Sequence, residues 1–544
     1  MNLSSKTFFI KEKSKLQTIA FNYGKEPLKY LIIAGIILVT VIKLSLMGTG
    51  FLTFPDEFRY FAAGDALRHV SEFNMGAAMN DLFSTKSKPG DVLIQTIPNA
   101  IEQVTCSIFN LVRYESKNHY PLFIFNFIIY CSILVVHFKF SKLVLKDTFL
   151  ALVSVLLYSS LTNSYLYLRH VLALDTSLLI FYLLIYKTVK YTESDKLSFK
   201  KSSILGLFSF FGFLVYPGYF PLYFLCLSVL FFHNLTKKTF FKKVYHACYY
   251  GLGSIYCLLI FEAMARLGGV SYISDARHAS SIVTQGSSEE SFSFIIKYFF
   301  EVERITGIIL IVCLPLFGSM LINEIRNKNF KQNSLIILLG IVLIGLFLAY
   351  ASVGYFFHNF YLMGRTLHQY YPFICIFSVF SLNLLLIKIT KKTEFVLFLI
   401  SLVFVISFGI NFIQYYPITY PRDIYWKLSK THRWKDIETI LEYGNGWTVK
   451  PEYTDHMHYE DIPPKGNFES ENIIVINGGY FYPIYDIALY NKFTPDASYK
   501  LLDTKTHWLN FKAYQYEAYS IIERQNLDKM NLQIKTFSKQ APHQ

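Results

Sequence analysis

The chain has 544 residues, of which 53% are hydrophobic, 18% aromatic and only 17% charged, yet its net charge is +14. Mean hydropathy is +0.33, and soluble domains average about 25% charged residues. The composition therefore argues against a large cytosolic enzyme and rules out a disordered chain or a disulfide scaffold. The charge alone would admit a nucleic-acid partner, but only if the basic residues shared one folded face.

In chain order, the first apolar run covers 28–49, enough to cross a hydrocarbon core and too long for a signal-peptide core. Further runs lie near 119–138, 148–168, 170–189, 203–216, 218–234, 245–266, 304–322, 334–353, 370–389 and 394–415. They predict an α-helical polytopic membrane protein of about 11 transmembrane helices. The runs 203–216 and 218–234 meet at Tyr216-Pro217-Gly218-Tyr219, which reads as a tight hairpin. Three parts follow: a cytoplasmic segment 1–27, a transmembrane domain 28–415, and an aqueous C-terminal domain 416–544. The last has a strand-like run at Ile473–Gly479 and predicted helices near 423–443 and 507–526, a small α/β module. The seven cysteines are scattered without CxxC spacing, so they form neither a zinc framework nor a disulfide code.

Lysine placement sets the orientation. Clusters at Lys6–Lys29, Lys139–Lys146, Lys187–Lys201, Lys237–Lys243, Arg326–Lys331 and Lys388–Lys392 occupy alternate connections. They place the N-terminus in the cytoplasm and, with an odd number of spans, the C-terminal domain outside. The expected location is the cytoplasmic (inner) membrane. Since most basic residues are used in these loops, a nucleic-acid partner is not expected.

The outer connections hold the candidate chemistry. The first, 50–118, opens with Pro55-Asp56-Glu57-Phe58-Arg59-Tyr60, followed by helical periodicity. A carboxylate there could accept a proton from a hydroxyl nucleophile, or simply cap a helix. Farther on, Lys86 and Lys88 precede Pro89-Gly90 and an amphipathic helix. A lysine at headgroup depth suits a lipid phosphate, or snorkels toward water. Asp175 is read as about one and a half turns into the fourth span, where a carboxylate has a role or a partner such as Arg169. Arg365 stands at the mouth of the tenth span and could bind phosphate through its planar fork. His358 and His368 flank it and read as hydrogen-bonded structural residues.

Together these pieces resemble the C-type glycosyltransferase superfamily, with the greatest likeness to bacterial relatives of protein O-mannosyltransferases and lipid A aminoarabinose transferases. The resemblance covers 28–415 and rests on Pro55-Asp56-Glu57-x-Arg59-Tyr60, Lys88-Pro89, Asp175, and Gly364-Arg365 with Pro372. Phe300-Glu301-Val302-Glu303-Arg304 is a looser match without the histidine often seen there, and nothing is carried over from it. The chain departs from the family after Pro89, where it has Gly90-Asp91.

The resemblance implies transfer of a sugar from a polyprenyl-phosphate donor to an acceptor protein, lipid or glycan on the outer face. Asp56 would be the general base, with Glu57 beside it as the second catalytic carboxylate. Lys88 and Arg365 would hold the donor phosphate. Asp175, with Arg59 and Tyr60, would orient the acceptor; Glu57 and Asp175 would bind a divalent metal ion if one is used. Neither a metal nor any other cofactor is fixed by the sequence. Rival readings are a lipid-linked glycan flippase or transporter, which would spread polar residues through many spans, and a polymerase or ligase with a longer donor.

Overall fold

A computed structural model describes residues 25–45, 58–83, 88–111, 120–164, 173–283, 293–326, 330–357 and 364–415, together with five strands between 439 and 521. Among the described residues, seven helices are long and apolar enough to cross a membrane: Lys25–Leu44, Tyr120–Leu145, Lys237–Leu267, Arg304–Arg326, Ser334–Phe356, Tyr371–Ile389 and Thr393–Phe412. Thr148–Ser160 and Pro217–Phe232 are shorter apolar helices. The chain is thus a helical, multi-pass membrane protein.

Along the chain, α1 is Lys25–Leu44. The first connection folds into α2 (Phe58–Ser71), α3 (Met75–Phe83) and α4 (Pro89–Phe109). Then come α5 (Tyr120–Leu145), α6 (Thr148–Ser160), α7 (Leu174–Glu193), α8 (Phe199–Val215), α9 (Phe220–Phe232) and α10 (Phe240–Leu267). They are followed by α11 (Tyr272–Val283), α12 (Phe294–Tyr298), α13 (Arg304–Arg326), α14 (Phe330–Phe357), α15 (Gly364–His368), α16 (Tyr371–Ile389) and α17 (Thr393–Tyr415).

Local chemistry accounts for several helix ends. Asp147 caps α6, its Oδ1 accepting from Phe149 N at 2.7 Å and Leu150 N at 3.0 Å. Lys25 joins that end to α17, with Nζ 3.2 Å from Asp147 and 3.1 Å from Glu394. Pro89 starts α4, where its missing N–H is no loss, and Asn110 ends it in the left-handed region at φ 50°.

Glycine sets the closest helix pair. A Cβ on Gly206 of α8 would lie 1.8 Å from the Tyr250 carbonyl oxygen, and one on Gly253 of α10 would lie 1.9 Å from that of Ser203. The backbones touch there, and Ser254 Oγ donates to Gly206 O at 3.0 Å.

Several polar groups inside the bundle meet partners. His137 of α5 meets the Tyr182 hydroxyl at 2.7 Å through Nδ1 and Ser154 Oγ at 3.0 Å through Nε2. Lys43, in the last turn of α1, is fully buried. Its ammonium donates to Tyr130 Oη at 2.5 Å, Ser159 O at 2.5 Å and Ser164 Oγ at 3.2 Å. A flanking lysine that sequence logic would send to water is therefore a buried tie between three elements.

The C-terminal strands are β1 (Thr439–Tyr443), β2 (His458–Asp461), β3 (Ile473–Asn477), β4 (Tyr499–Lys505) and β5 (Tyr516–Ile521), in the order β2-β1-β3-β5-β4. β1 runs parallel to β2 and β3, while β5 runs antiparallel to β3 and β4. The strand expected at 473–479 is β3. The helices expected at 423–443 and 507–526 are corrected over part of their length: 439–443 is β1 and 516–521 is β5. Short apolar runs fit either period, and here pairing with distant strands decides. The rest of both stretches lies outside the described residues.

Candidate active site

The helix expected after Pro55 is α2, and it is fastened to α4 by its first two residues with described side chains. Arg59 Nε lies 2.5 Å from Asp91 Oδ2, with both side chains buried. The Tyr60 hydroxyl donates to Glu102, and Asn99 Nδ2 donates to Tyr60 O at 2.6 Å. Burial pushes the Asp91 carboxyl above its ordinary range, against the pull of Arg59 and Lys88. Arg59 and Tyr60 thus face the interior of the loop domain and fasten to α4 the start of α2, which follows Asp56 and Glu57 in the sequence. Those two carboxylates lie outside the described residues.

Gly90 and Asp91, which follow Pro89, each have a packing role. A Cβ on residue 90 would lie 2.8 Å from Val215 N and 2.9 Å from Leu214 C, so glycine lets α4 press against the end of α8. Asp91 is the partner of Arg59. The Gly90-Asp91 pair therefore locks α4 to two neighbours.

α4 is amphipathic with its polar face turned inward. Asp91, Gln95, Asn99 and Glu102 are buried, while Ile97, Ile101, Val104 and Ile108 are exposed. This reverses the pattern of a soluble helix and suits a helix whose outer side meets lipid.

The α8–α9 hairpin closes through the short helix Pro217–Tyr219, at the turn the sequence predicted. A Cβ on Gly218 would lie 2.6 Å from the Tyr216 ring, which would have to swing aside. Three of the expected site elements converge here. The Lys88 ammonium lies 5.2 Å from the centre of the Tyr216 ring. Tyr219 Oη is 2.5 Å from Nδ1 of His368, the last residue of α15, which begins at Gly364-Arg365. His368 Nε2 is in turn 3.1 Å from Asp175 Oδ1. Asp175, Tyr219 and His368 are all buried. Arg365 belongs to α15, but its side chain lies outside the described part.

Two expectations about Asp175 change. α7 begins at Leu174, so the carboxylate sits in its first turn rather than one and a half turns in. There it benefits from the positive end of the helix. The neighbour it meets is His368, and Arg169 lies outside the described residues. His368, read from sequence as structural, joins α15 to α7.

Sequence reasoning gave no role to a second buried carboxylate, Glu303. Glu303 is fully buried and accepts from Thr162 N at 2.9 Å. Asn411 Nδ2 donates to Thr162 Oγ1 at 3.4 Å and to Val302 O at 3.3 Å. Glu303 ends the π-helical turn Phe299–Glu303, and the next residue, Arg304, has φ 54°. A π turn followed by a positive-φ arginine is a strained junction of the kind found at functional sites. Asp175 and Glu303 both act electrostatically on Lys43. The acidic run 301–303 was the available signal, but its inward direction depends on contacts with distant helices.

Among the described residues, no three His, Cys, Asp or Glu side chains gather as a metal site. Asp175 has His368 beside it, and Glu57, the other expected ligand, lies outside the described residues. The chain matches no family model and no curated relative.

Proposed function

We propose that the chain is a membrane glycosyltransferase that moves a sugar from a polyprenyl-phosphate donor to an acceptor hydroxyl at the outer membrane face. The observation that carries this reading is the convergence of Lys88, Asp175 and the Arg365 helix on the turn Tyr216–Tyr219. Three far-separated motifs of the expected site meet at one end of a helical bundle. The inverted amphipathic α4 supports it, because it presents an apolar stripe to lipid beside the Lys88 ammonium.

In this reading the acceptor hydroxyl attacks the anomeric carbon from the side opposite the phosphate. Asp56 takes the hydroxyl proton as the new C–O bond forms. The bond from the anomeric carbon to the phosphate oxygen breaks, and polyprenyl phosphate leaves with inverted sugar configuration in the product. Lys88 and Arg365 stabilise the charge on the departing phosphate. Glu57 and Asp175 orient the acceptor. Arg59 and Tyr60 hold the α2 segment in register with α4. The shorter helices α6 and α9, together with α7 and α8, complete the eleven crossings, with the N-terminus cytoplasmic and the sheet domain extracytoplasmic in the inner membrane. The sheet domain takes part in acceptor recognition.

The test is transfer from radiolabelled polyprenyl-phosphate monosaccharides to native membrane acceptors. The wild-type chain transfers label, Asp56→Asn abolishes it, and Lys88→Ala and Arg365→Ala weaken donor binding. Transfer by Asp56→Asn at the wild-type rate refutes the base assignment. If wild-type protein moves intact lipid-linked sugar across the bilayer and transfers none, the flippase reading replaces this one.

A further inference from the structure

The turn from α2 to α3 is closed by its own backbone. Phe73 N donates to Val70 O at 3.1 Å and Asn74 N to His69 O at 2.8 Å, the paired bonds of a helix stop whose outer residue takes the left-handed conformation. The Asn74 side chain accepts from Ala77 N at 3.2 Å and caps α3. His69 Nδ1, 2.7 Å from Asp81 Oδ2, ties the two helices together. Glycine or asparagine usually fills such a stop, because a Cβ disfavours positive φ. Here the residue is Phe73, at φ 57° and 89% exposed. Among the described residues, the other non-glycine residues with positive φ are Asn110, Lys146, Asp195, Asn234 and Arg304, all polar.

Phe73 has apolar company. Val70 and Met75 beside it are exposed. α3 packs on the end of α10, where Asn80 Nδ2 donates to Gly268 O at 3.1 Å and a Cβ on Gly76 would lie 3.6 Å from Leu267 O. Leu267 is itself 71% exposed and ends a membrane-crossing helix. It shares a helix face with Tyr249, Tyr256 and Ile260, all exposed, which precede it by close to whole numbers of turns. The lipid-facing side of α10 therefore runs on to the α2–α3 turn, at the end of α10 away from Lys237–Lys243.

We propose that the α2–α3 turn is a lipid anchor, and that Phe73, with Val70, Met75 and Leu267, enters the boundary between headgroups and acyl chains of the bilayer. A single exposed apolar residue is ordinary, but a patch continuous with a membrane-facing helix side marks a contact surface. The hydrogen-bonded turn presents the ring already ordered, in a backbone conformation that glycine would adopt more readily, so the local fold gives no reason for a phenylalanine there. The anchor sets the depth of the first connection in the membrane. It does not rest on the glycosyltransferase reading, since it holds whatever that connection binds.

The test uses the full-length chain in nanodiscs of phosphatidylethanolamine and phosphatidylglycerol. The exposed Cys248 is replaced by serine, a nitroxide is attached in Phe73→Cys, Leu267→Cys or Asp65→Cys, and the signal of the parent chain is subtracted. Asp65, exposed about two turns earlier in α2, is the aqueous reference. Collisions with oxygen, which partitions into lipid, are compared with collisions with a water-soluble nickel chelate. The oxygen-to-nickel ratio should be several-fold higher at 73 and 267 than at 65. A nickel-dominated label at 73 overturns the anchor, because the side chain then stands in water. Shielding from both probes overturns it too, because the patch is then covered by protein, either the C-terminal domain or a second copy. With the label moved to Met75→Cys, adding Phe73→Asp should lower the ratio several-fold, whereas Phe73→Leu should keep it. An unchanged ratio in Phe73→Asp denies Phe73 the anchoring role.

Discussion

Removing either member of the Arg59–Asp91 pair should destabilise the protein, and unequally. Both side chains are buried, with nitrogen and oxygen 2.5 Å apart. Deleting one partner of a buried ion pair costs about 3–5 kcal/mol, because the remaining charge loses its counter-ion. The two deletions differ in what remains. Arg59 cannot shed its proton, since a guanidinium titrates above about 12. Asp91 can take one up, because burial already pushes its carboxyl upward. Asp91→Ala should therefore lie at the top of that range, at about 5 kcal/mol, and Arg59→Met at its foot, at about 3 kcal/mol. The double variant Asp91→Leu/Arg59→Met should recover most of the loss, since apolar replacements of a buried pair are often neutral. Equilibrium unfolding in mixed micelles, followed by the helical circular-dichroism signal and proteolysis, gives the three values. An Arg59→Met variant less stable than Asp91→Ala, or both within about 1 kcal/mol of wild type, would refute the reasoning.

Gly206→Ala should separate α8 from α10, because its Cβ would sit 1.8 Å from a carbonyl oxygen that no rotamer change can move. Overpacking of this kind costs about 1–3 kcal/mol or more, read in the same unfolding assay, whereas Gly251→Ala on the same α10 meets nothing within 4 Å and should be tolerated. His233, buried just past the end of α9, is held down to about 4 from 6.5 by burial and then by Lys243. The unfolded chain therefore binds the extra proton between those values, so stability is present above pH 6.5 and is lost as pH falls toward 4. The loss is about 3 kcal/mol at most, and a His233→Asn variant should show a correspondingly flatter stability profile across that window.

Much of the helical architecture is legible in the sequence because membrane helices must satisfy their own backbone groups, so apolar length alone reveals them. α4 and the Pro217-Gly218 turn are also legible, since a proline and a glycine mark each one, and α2 follows from its local period. What stays hidden depends on distant partners. The inward direction of Lys43 follows from Tyr130, Ser159 and Ser164. The start of α7 next to Asp175, and its pairing with His368, bring together segments far apart in the chain. The strand Thr439–Tyr443 needs β2 and β3 on either side before its short run takes the extended form. The roles of Gly90 and Asp91, a close backbone approach and an ion pair, likewise depend on α8 and Arg59.

In the proposed glycosyltransferase the turn Tyr216–Tyr219 and the start of α4 border the donor phosphate. The most direct measurement is photo-crosslinking with a polyprenyl phosphate that carries a diazirine beside its phosphate, followed by peptide mapping. The account predicts saturable crosslinks to residues 88–91 and 216–219, suppressed by unlabelled polyprenyl phosphate and weakened in Lys88→Ala. Crosslinks confined to the opposite end of the bundle, around Lys25, Asp147 and Glu394, would contradict it.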